Sequence, residues 1–215
     1  MTLEIVSFTL GPVMTNSYLV ADQMTGAALV IDPAWDGRTI LDAATQRGWS
    51  IGQLWYTHAH FDHIGGAAEL AAGLAQPPEV VLHQQDHSLW QLGGGGAFFG
   101  YKIDPGPEPS VQIEHGQVLK LGGLSFEVRH TPGHTPGHVI YYCAAGGVLF
   151  SGDLIFQQSV GRTDLPGGNT RTLLESIRNQ VFSLPDETRI LSGHGYETTV
   201  GEERHGNPFV TGWGL

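Results

Sequence analysis

Short runs of apolar and β-branched residues recur along the first half of the chain, and turn residues separate them. The predicted strands are residues 3–10, 17–20, 27–31, 54–56 and 80–82. Apolar positions at helical spacing predict helices over residues 39–47 and 67–74. The first three strands follow one another closely, so we expect them to form an antiparallel meander that begins a sheet.

The second half repeats this organisation. Its predicted strands are residues 111–114, 118–121, 124–128, 139–142, 148–150 and 188–191. We expect the first three of these runs to form a second meander. Asn169 or Thr170 has the character of an N-cap, and the apolar positions Leu173, Leu174 and Ile177 continue into a helix. The pattern therefore predicts two halves, each built from a sheet and helices.

One stretch at the end of a predicted strand concentrates ligand-type side chains. His58, His60, Asp62 and His63 lie within six residues, directly after the apolar run at residues 54–56. In an extended segment, residues two apart share a face, so we expect His58 and His60 to converge, with Asp62 in the same row. His63 breaks that parity. The spacing therefore suggests two neighbouring metal ions rather than one tetrahedral ion.

Further candidate ligands follow predicted strands in the second half. His134 lies between two Pro-Gly turns on a rigid loop, Asp153 follows the strand at residues 148–150, and His194 follows the strand at residues 188–191. His130 and His138 flank His134, and each is either a ligand or a partner of one. Asn16 and Asp32 lie at strand ends, where we expect their side chains to bond to the local backbone.

Composition limits the alternatives. The 215 residues are 40% hydrophobic, which predicts one compact domain over residues 1–215. No run reaches the roughly 18 apolar residues of a membrane span, and the N-terminus lacks a basic segment followed by an apolar one. We therefore expect a soluble cytoplasmic protein that does not bind membranes.

Charge and cysteine content narrow the chemistry. The net charge is −11, from 21 acidic and 10 basic residues without a basic cluster, so nucleic acid is not an expected partner. Cys143 is the single cysteine and lies in a predicted buried strand, so we interpret it as a core residue. An intrachain disulfide and a thiolate cluster are excluded, and any metal must bind to imidazole and carboxylate.

The pattern His58-x-His60-x-Asp62-His63, followed in order by His134, Asp153 and His194, resembles the metallo-β-lactamase-fold hydrolases. The segments around His134, Asp153 and His194 look most like the glyoxalase II branch, the hydroxyacylglutathione hydrolases, and residues 161–164 together with residues 198–207 look like a short bacterial subgroup of it. The resemblance implies an α+β fold, a four-layer αββα sandwich of two mixed β-sheets flanked by helices, with the site between the sheets.

The resemblance also implies a ligand set and an activity. His58, His60 and His134 would bind one divalent ion, Asp62, His63 and His194 would bind a second, and Asp153 would bridge them. Zinc is the first expectation, and iron and manganese are also compatible. A hydroxide shared by the ions would attack a thioester such as S-lactoylglutathione, with Asp62 orienting it and Asp153 holding both ions. The expected partner is thus a small-molecule thioester, glutathione conjugates included.

The resemblance specifies the substrate contacts less fully than the metal ligands. Longer glyoxalase II enzymes add a C-terminal helical region that helps to hold glutathione, whereas 21 residues follow His194 here. Arg162 is the candidate anion-binding side chain, or else pairs with Asp164, and Tyr196 and the aromatic residues at 98–101 are candidate walls. The glycine-rich segment at residues 93–109 is either a mobile lid or an insertion.

Three other functions share parts of this pattern. Persulfide dioxygenases of the same fold use one iron, which the counterparts of His58, His134 and Asp153 would hold. Metal analysis with an oxygen-uptake assay separates that function from hydrolysis. A regulatory or scaffold protein would have an incomplete site, but all seven ligand residues are present in this chain. A β-lactamase is compatible with the fold, but the chain lacks the expected secretion signal.

Overall fold

The computed structural model describes residues 2–211, and within them the strands form two six-stranded sheets and one small hairpin. The strands of the first sheet are β1 Leu3–Leu10, β2 Thr15–Asp22, β3 Ala27–Ile31, β4 Ser50–Trp55, β5 Glu79–His83 and β6 Val111–Ile113. They lie in chain order across the sheet. β1, β2 and β3 are antiparallel, as the meander prediction required, and β3 to β6 are parallel.

The second sheet has the order β14-β13-β10-β9-β8-β7. The remaining strands are β7 Val118–Leu121, β8 Leu124–His130, β9 Val139–Cys143, β10 Val148–Gly152, β11 Ile155–Phe156, β12 Ser159–Val160, β13 Arg189–Ser192 and β14 Thr198–Thr199. β10 and β13 are parallel and the other pairs are antiparallel. β11 and β12 form the separate hairpin.

Helices cover the outer faces of the two sheets. The α-helices are α1 Gly37–Arg47, α2 Phe61–Ile64, α3 Ala67–Ala72, α4 His87–Gln91, α5 Thr170–Ser176, α6 Val200–Gly206 and α7 Pro208–Thr211. Short 3₁₀ segments lie at Gln84–Asp86, Gly93–Phe99 and Ala144–Gly146, and a π-helical turn, Ile177–Val181, continues α5. Asn169 caps α5, because its side chain accepts a hydrogen bond from the backbone N–H of Thr172, 3.0 Å away.

Alternation along the strands divides the core into three layers of side chains. Tyr18 and Val20 of β2 pack between the sheets against Phe126 and Phe150, whereas Leu19 of the same strand packs under the helices that follow β3 to β5. A third cluster lies between the second sheet and α5 to α7. Residues two apart on a strand share a face, so one strand serves two layers. The four-layer αββα sandwich is therefore confirmed.

The structure corrects one expectation about the strands. The run at residues 111–114 is not part of a second meander, because β6 pairs in parallel with β5 in the first sheet. At three residues it is too short for its own pattern to specify a partner.

Cys143 is buried at the end of β9, as expected of a core residue. Among residues 2–211, no helix combines the length and apolar character needed to cross a membrane.

Candidate metal centre

The loops that follow β4, β8, β10 and β13 meet at one edge, between the two sheets. They carry all seven side chains that the sequence singled out as ligands, and the structure brings the seven together: His58, His60, Asp62, His63, His134, Asp153 and His194. Because β3, β4 and β5 are parallel, their carboxyl ends lie at the same edge and their loops are neighbours. This edge of the first sheet carries residues 58–63, and the loops of the second sheet that carry His134, Asp153 and His194 meet it there.

Three imidazoles form one side of this site. His60 Nδ1 lies 2.8 Å from His134 Nε2, and His134 Nε2 lies 3.2 Å from His58 Nε2. All three side chains are buried. We call these residues the imidazole cluster. Its three nitrogen atoms lie close enough to one another to share a single metal ion.

Carboxylates and two further imidazoles form the other side. His63 Nε2 lies 3.3 Å from Asp153 Oδ1 and 3.5 Å from Asp62 Oδ2. His194 Nε2 lies 3.3 Å from Asp62 Oδ2 and 3.5 Å from Asp153 Oδ2. We call Asp62, His63 and His194 the acid cluster. Asp153 also lies 3.6 Å from His134 Nε2, so it stands between the two clusters.

The position of Asp62 differs from the sequence expectation. It does not continue an extended row with His58 and His60, because the chain turns into α2 directly after His60. His60 is extended, with φ −67° and ψ 150°, whereas Asp62 lies in the first helical turn. Thr15 at the start of β2 donates a hydrogen bond to Asp62 Oδ2 over 2.9 Å. The helical turn therefore directs Asp62 toward the acid cluster.

Hydrogen bonds on the far side of the rings fix which nitrogen of each histidine faces the site. Asp32 accepts from the Thr57 hydroxyl over 2.7 Å and from His63 Nδ1 over 3.0 Å. The Thr57 hydroxyl, having donated its proton to Asp32, accepts from His58 Nδ1 over 3.0 Å. His58 and His63 thus carry their protons on Nδ1 and present Nε2 to the site.

Hydrogen bonds also orient His134 and His194, in the second half of the chain. His134 Nδ1 donates to the carbonyl oxygen of Arg162 over 2.7 Å, and His194 Nδ1 donates to the carbonyl oxygen of Met14 over 3.3 Å. A carbonyl can only accept, so each Nδ1 carries a proton and Nε2 is the nitrogen that faces the site. His60 differs, because it faces the site through Nδ1.

The two clusters have opposite electrostatic character. Burial, reinforced by the neighbouring imidazoles, lowers the pKa of His58 well below its usual value and lowers that of His60 to about 3. In the acid cluster, burial lowers the pKa of His194, but the Asp153 and Asp62 carboxylates outweigh it and raise the pKa to about 10. Burial raises the pKa of Asp62, but His63 and His194 bring it down to about 2.

The donor set fits divalent metal ions. His63 Nε2 and Asp153 Oδ1 are buried and have no hydrogen-bond partner among residues 2–211, although they lie 3.3 Å apart. Orphaned buried polar atoms are costly unless a ligand satisfies them. Imidazole nitrogens and carboxylate oxygens are ligands of zinc, iron and manganese. Gly193 permits this close packing, since a Cβ there would lie 2.1 Å from Asp153 Oδ1.

The sequence left the role of His138 open and misjudged two other residues. His138 Nε2 accepts from the backbone N–H of Asp153 over 3.1 Å, so His138 supports a candidate ligand. The expectation of local backbone bonds for Asn16 and Asp32 is wrong. Asn16 donates to the carbonyls of Ser192 and Gly195, and Asp32 holds Thr57 and His63.

Asp32 also has an unusual backbone. Its φ is 50°, in the left-handed region, which costs a residue other than glycine roughly 1 kcal/mol or more. Such strain is often found where the surroundings require a particular side-chain direction. The signal that could have found Asp32 is its place at the end of a buried strand beside β4. For Thr15 the sequence offers no comparable signal.

A pocket of about 190 Å³ opens onto the two clusters. Its floor consists of His60, Asp62, His134, Asp153 and His194, and its wall includes Val13, Phe61, Phe99, Arg162 and Leu165. The aromatic ring of Phe61 stacks on Phe99 at 5.3 Å, so part of the glycine-rich segment packs over the site. The pocket is therefore polar at its base and largely apolar above.

The two expected substrate contacts differ in position. Arg162 lines the pocket, yet its guanidinium forms two hydrogen bonds with Asp164, at 2.7 and 2.8 Å. The ion pair with Asp164 is thus present, as the alternative interpretation expected. Tyr196 is 80% exposed and is not among the residues that line the pocket. A substrate role for either residue stays a prediction.

Similar proteins are consistent with this geometry. A Haemophilus influenzae protein named hydroxyacylglutathione hydrolase GloC is 35% identical over 213 residues, covering 98% of each chain. A Bacillus subtilis protein named probable metallo-hydrolase YqgX is 39% identical over 210 residues, covering 95% of this chain and 96% of that protein.

Solved structures share the whole architecture. BLEG-1, a B3 metallo-beta-lactamase, superposes with a TM-score of 0.90 at 36% identity, covering 97% of this chain and 100% of that one. TTHA1623 in a di-iron-bound form gives 0.85 at 40% identity, with 95% and 99% covered. ETHE1 from Myxococcus xanthus gives 0.82 at 29% identity, with 97% and 85% covered. The family model described as the metallo-beta-lactamase superfamily matches residues 10–194, and this chain belongs to that superfamily of metallohydrolases.

Proposed function

We propose that this protein is a binuclear metallohydrolase that cleaves thioesters such as S-lactoylglutathione. The observation that carries the proposal is the arrangement of three candidate metal-binding groups. The imidazole cluster and the acid cluster share no residue, and a third group joins one histidine of each to Asp153. Two separate ligand sets with a carboxylate between them fit two adjacent ions better than one.

The chain would hold one ion through His58, His60 and His134 and the other through Asp62, His63 and His194, with Asp153 contacting both. Bound divalent ions supply an activated water at neutral pH and a Lewis acid for the thioester carbonyl. The protein contributes imidazoles whose Nε2 atoms are already directed inward, because their Nδ1 atoms bond to Thr57 and to backbone carbonyls. The hydrogen bond from Thr15 to Asp62 Oδ2 supports the role we assign to Asp62, which would be to orient the attacking water.

The pocket favours a small acyl group at its base. Its volume of about 190 Å³ is below the roughly 300 Å³ at which pockets begin to enclose drug-sized ligands. A lactoyl group would enter, with its carbonyl at the polar floor, while the thiol carrier would lie along Val13, Phe99 and Leu165 toward solvent. We assign to Arg162, at the wall of the pocket, the binding of a carboxylate of that carrier. The carboxylate would replace Asp164 as the partner of the guanidinium.

Relatives support the choice of thioester. The name of the Haemophilus influenzae relative, with 98% of each chain covered, indicates hydrolysis of hydroxyacylglutathione. The single cysteine, Cys143, is buried at the end of β9, which argues against a cysteine nucleophile. Zinc is the metal we expect first; the di-iron form of TTHA1623 makes iron the second choice.

The test is thioester hydrolysis by the metal-loaded protein, followed through the thiol released from S-lactoylglutathione. We expect turnover by the wild type and a loss of roughly a hundredfold or more in Asp62→Asn, which keeps the shape and removes the charge. Asp42→Asn, an exposed carboxylate of α1, is the matched control and should retain full activity. Absence of hydrolysis in a wild type with two bound ions would reject the proposal.

One observation favours a second candidate. His134 Nε2 lies 3.2 Å from His58 Nε2 and 3.6 Å from Asp153 Oδ2, and a single-iron dioxygenase acting on persulfides would use only these three residues. Oxygen uptake with glutathione persulfide, together with one iron per chain, would establish that function instead. The similarity to BLEG-1 adds a chromogenic cephalosporin to the substrates that the same preparation should be offered.

A further inference from the structure

Asp86 is a fully buried carboxylate outside the seven candidate ligands. It ends the 3₁₀ segment after β5 and precedes α4. Its Oδ2 accepts hydrogen bonds from the backbone N–H of Ala59 over 3.1 Å and from the Thr135 hydroxyl over 2.7 Å. Its Oδ1 accepts from the backbone N–H of Gly137 over 2.6 Å. The carboxylate is therefore satisfied entirely by donors from two other segments.

Those two segments are the ones that carry the imidazole cluster. Ala59 lies between His58 and His60, and Thr135 directly follows His134. The contact is tight as well as polar, because a Cβ on Gly137 would lie 2.7 Å from Asp86 Oδ1. One carboxylate thus joins the loop after β4, in the first half of the chain, to the loop after β8, in the second.

The imidazole cluster needs such support from outside. In the acid cluster, carboxylates and imidazoles attract one another directly. In the imidazole cluster, His58 Nε2 and His134 Nε2 are both lone-pair atoms, 3.2 Å apart, and the direct link between the two loops is the 2.8 Å contact of His60 Nδ1 with His134 Nε2. An ion bound by all three nitrogens would replace that contact, so the separation of the loops would then depend on contacts elsewhere, and a ligand set held in place beforehand binds its ion more tightly.

We propose that Asp86 is a positioning residue that fixes the separation of these two loops and so preorganises the imidazole cluster for its ion. The inference rests on the proposed ligand set, and it concerns one of the two ions only. Removing the Asp86 contacts should loosen the ion between His58, His60 and His134 and leave the ion of the acid cluster in place.

A buried carboxylate elsewhere provides the matched control. Asp22 at the end of β2 is also buried, and it accepts from the backbone N–H groups of Met24 and Gly123 over 3.1 and 2.8 Å. It joins the two sheets through the turn between β7 and β8, as Asp86 joins two loops, but it touches no candidate ligand segment. We therefore expect Asp22→Asn to disturb the fold to a similar extent without affecting the site.

The experiment is a chelator competition on the zinc-loaded full chain, with zinc per chain measured at each chelator concentration. In Asp86→Asn, one of the two zinc ions should be lost at a roughly 10- to 100-fold lower chelator concentration than in the wild type, the range found for residues that support ligands. The second ion should be unaffected, and Asp22→Asn should match the wild type for both.

A double variant identifies which ion is affected. His134→Ala removes a ligand of the imidazole cluster, so adding Asp86→Asn to it should not weaken the remaining ion any further. A purely structural role would weaken both ions together and would weaken the remaining ion in the double variant. Either result, or unchanged affinity for both ions in Asp86→Asn, would overturn the proposal.

Thr135→Val keeps the test decisive if Asp86→Asn does not fold. It removes one of the three hydrogen bonds and no charge, so the same single ion should weaken by a smaller factor, and unchanged affinity would overturn the inference. Thioester hydrolysis by the wild type is measured on the same preparation. Two bound zinc ions without hydrolysis would reject the proposed function, whereas the zinc affinities alone decide the role of Asp86.

Discussion

The imidazole cluster and the acid cluster face the same pocket, yet different forces hold them. In the acid cluster, His63 and His194 lie 3.3 to 3.5 Å from carboxylates, and the pKa of each imidazole is raised. In the imidazole cluster, burial keeps the rings neutral and lowers their pKa. The acid cluster therefore attracts its own members, whereas the imidazole cluster depends on its scaffold.

This difference agrees with the positions of two buried carboxylates that support the ligand segments. Asp32 holds the segment of His58 and His63 through three hydrogen bonds, and Asp86 holds both loops of the imidazole cluster through three more. Neither residue is a candidate ligand. A ligand set assembled from separate loops thus needs a second set of buried acids behind it, and these should control metal affinity.

The largest effect is expected where the two clusters meet. Asp153 lies within 3.6 Å of histidines from both, so Asp153→Ala should remove metal and activity together. We expect turnover to fall by about a hundredfold or more, because bound ions contribute several kcal/mol at the transition state. Metal analysis and thioester kinetics check this, with exposed Asp42→Ala as control. Two retained ions with near-normal turnover would show that Asp153 does not join the clusters.

The next effect separates the clusters. His134→Ala should release the ion of the imidazole cluster, and His194→Ala should release the ion of the acid cluster, so each variant should retain one ion per chain. Because the reaction draws on both ions, each variant should lose most of its thioesterase activity, roughly tenfold to a hundredfold or beyond. Elemental analysis of the two variants measures this. Loss of both ions from either variant would mean that the clusters do not bind independently.

A smaller effect is expected from the acid behind the site. Asp32→Asn should weaken the bond to His63 Nδ1 and the link through Thr57 to His58, and lower metal affinity by roughly 10- to 100-fold. Because Asp32 is linked to one histidine of each cluster, directly to His63 and through Thr57 to His58, both ions should weaken, unlike the single ion affected in Asp86→Asn. Chelator competition distinguishes the two patterns, and an Asp32→Asn protein with wild-type affinity would contradict this assignment.

The smallest effects belong to the wall of the pocket. Arg162→Ala should raise KM for S-lactoylglutathione several-fold, about 1 kcal/mol or less for a half-exposed ion pair. Metal content should not change, and a thioester with an uncharged carrier should be hydrolysed as before. Equal effects on both substrates would exclude Arg162 as the carboxylate contact.

The glycine-rich segment at residues 93–109 is tested in the same way. Phe99 of this segment lines the pocket, and Phe98 is 86% exposed. If the segment acts as a lid, deletion of its tip should change KM or kcat by a few-fold without changing metal content. Unchanged kinetics would identify it as an insertion.

The sequence predicts the architecture and the candidate ligands, but it does not predict the residues that hold those ligands in place. Alternating apolar runs locate most strands, and ligand-type residues at strand ends, such as His134 and His194, can be recognised because few structural needs place them there. Asp86 leaves no such trace, since its hydrogen-bond partners lie 27 to 51 positions away and no local periodicity marks it. The pattern predicts an extended segment for Asp62, which is wrong because the helix α2 begins inside the motif.

The partner of a very short strand is equally hard to read from sequence. β6 has three residues, and its pairing with β5 depends on where the preceding segment, residues 93–109, returns the chain to the sheet. A local pattern cannot contain that information, because register and partner are set by tertiary contacts.

The metal content of the isolated wild-type chain tests the central claim most directly. Elemental analysis after loading and removal of free metal should give two divalent ions per chain, one for each cluster. A single iron per chain, with the acid cluster left without metal, would contradict the binuclear account.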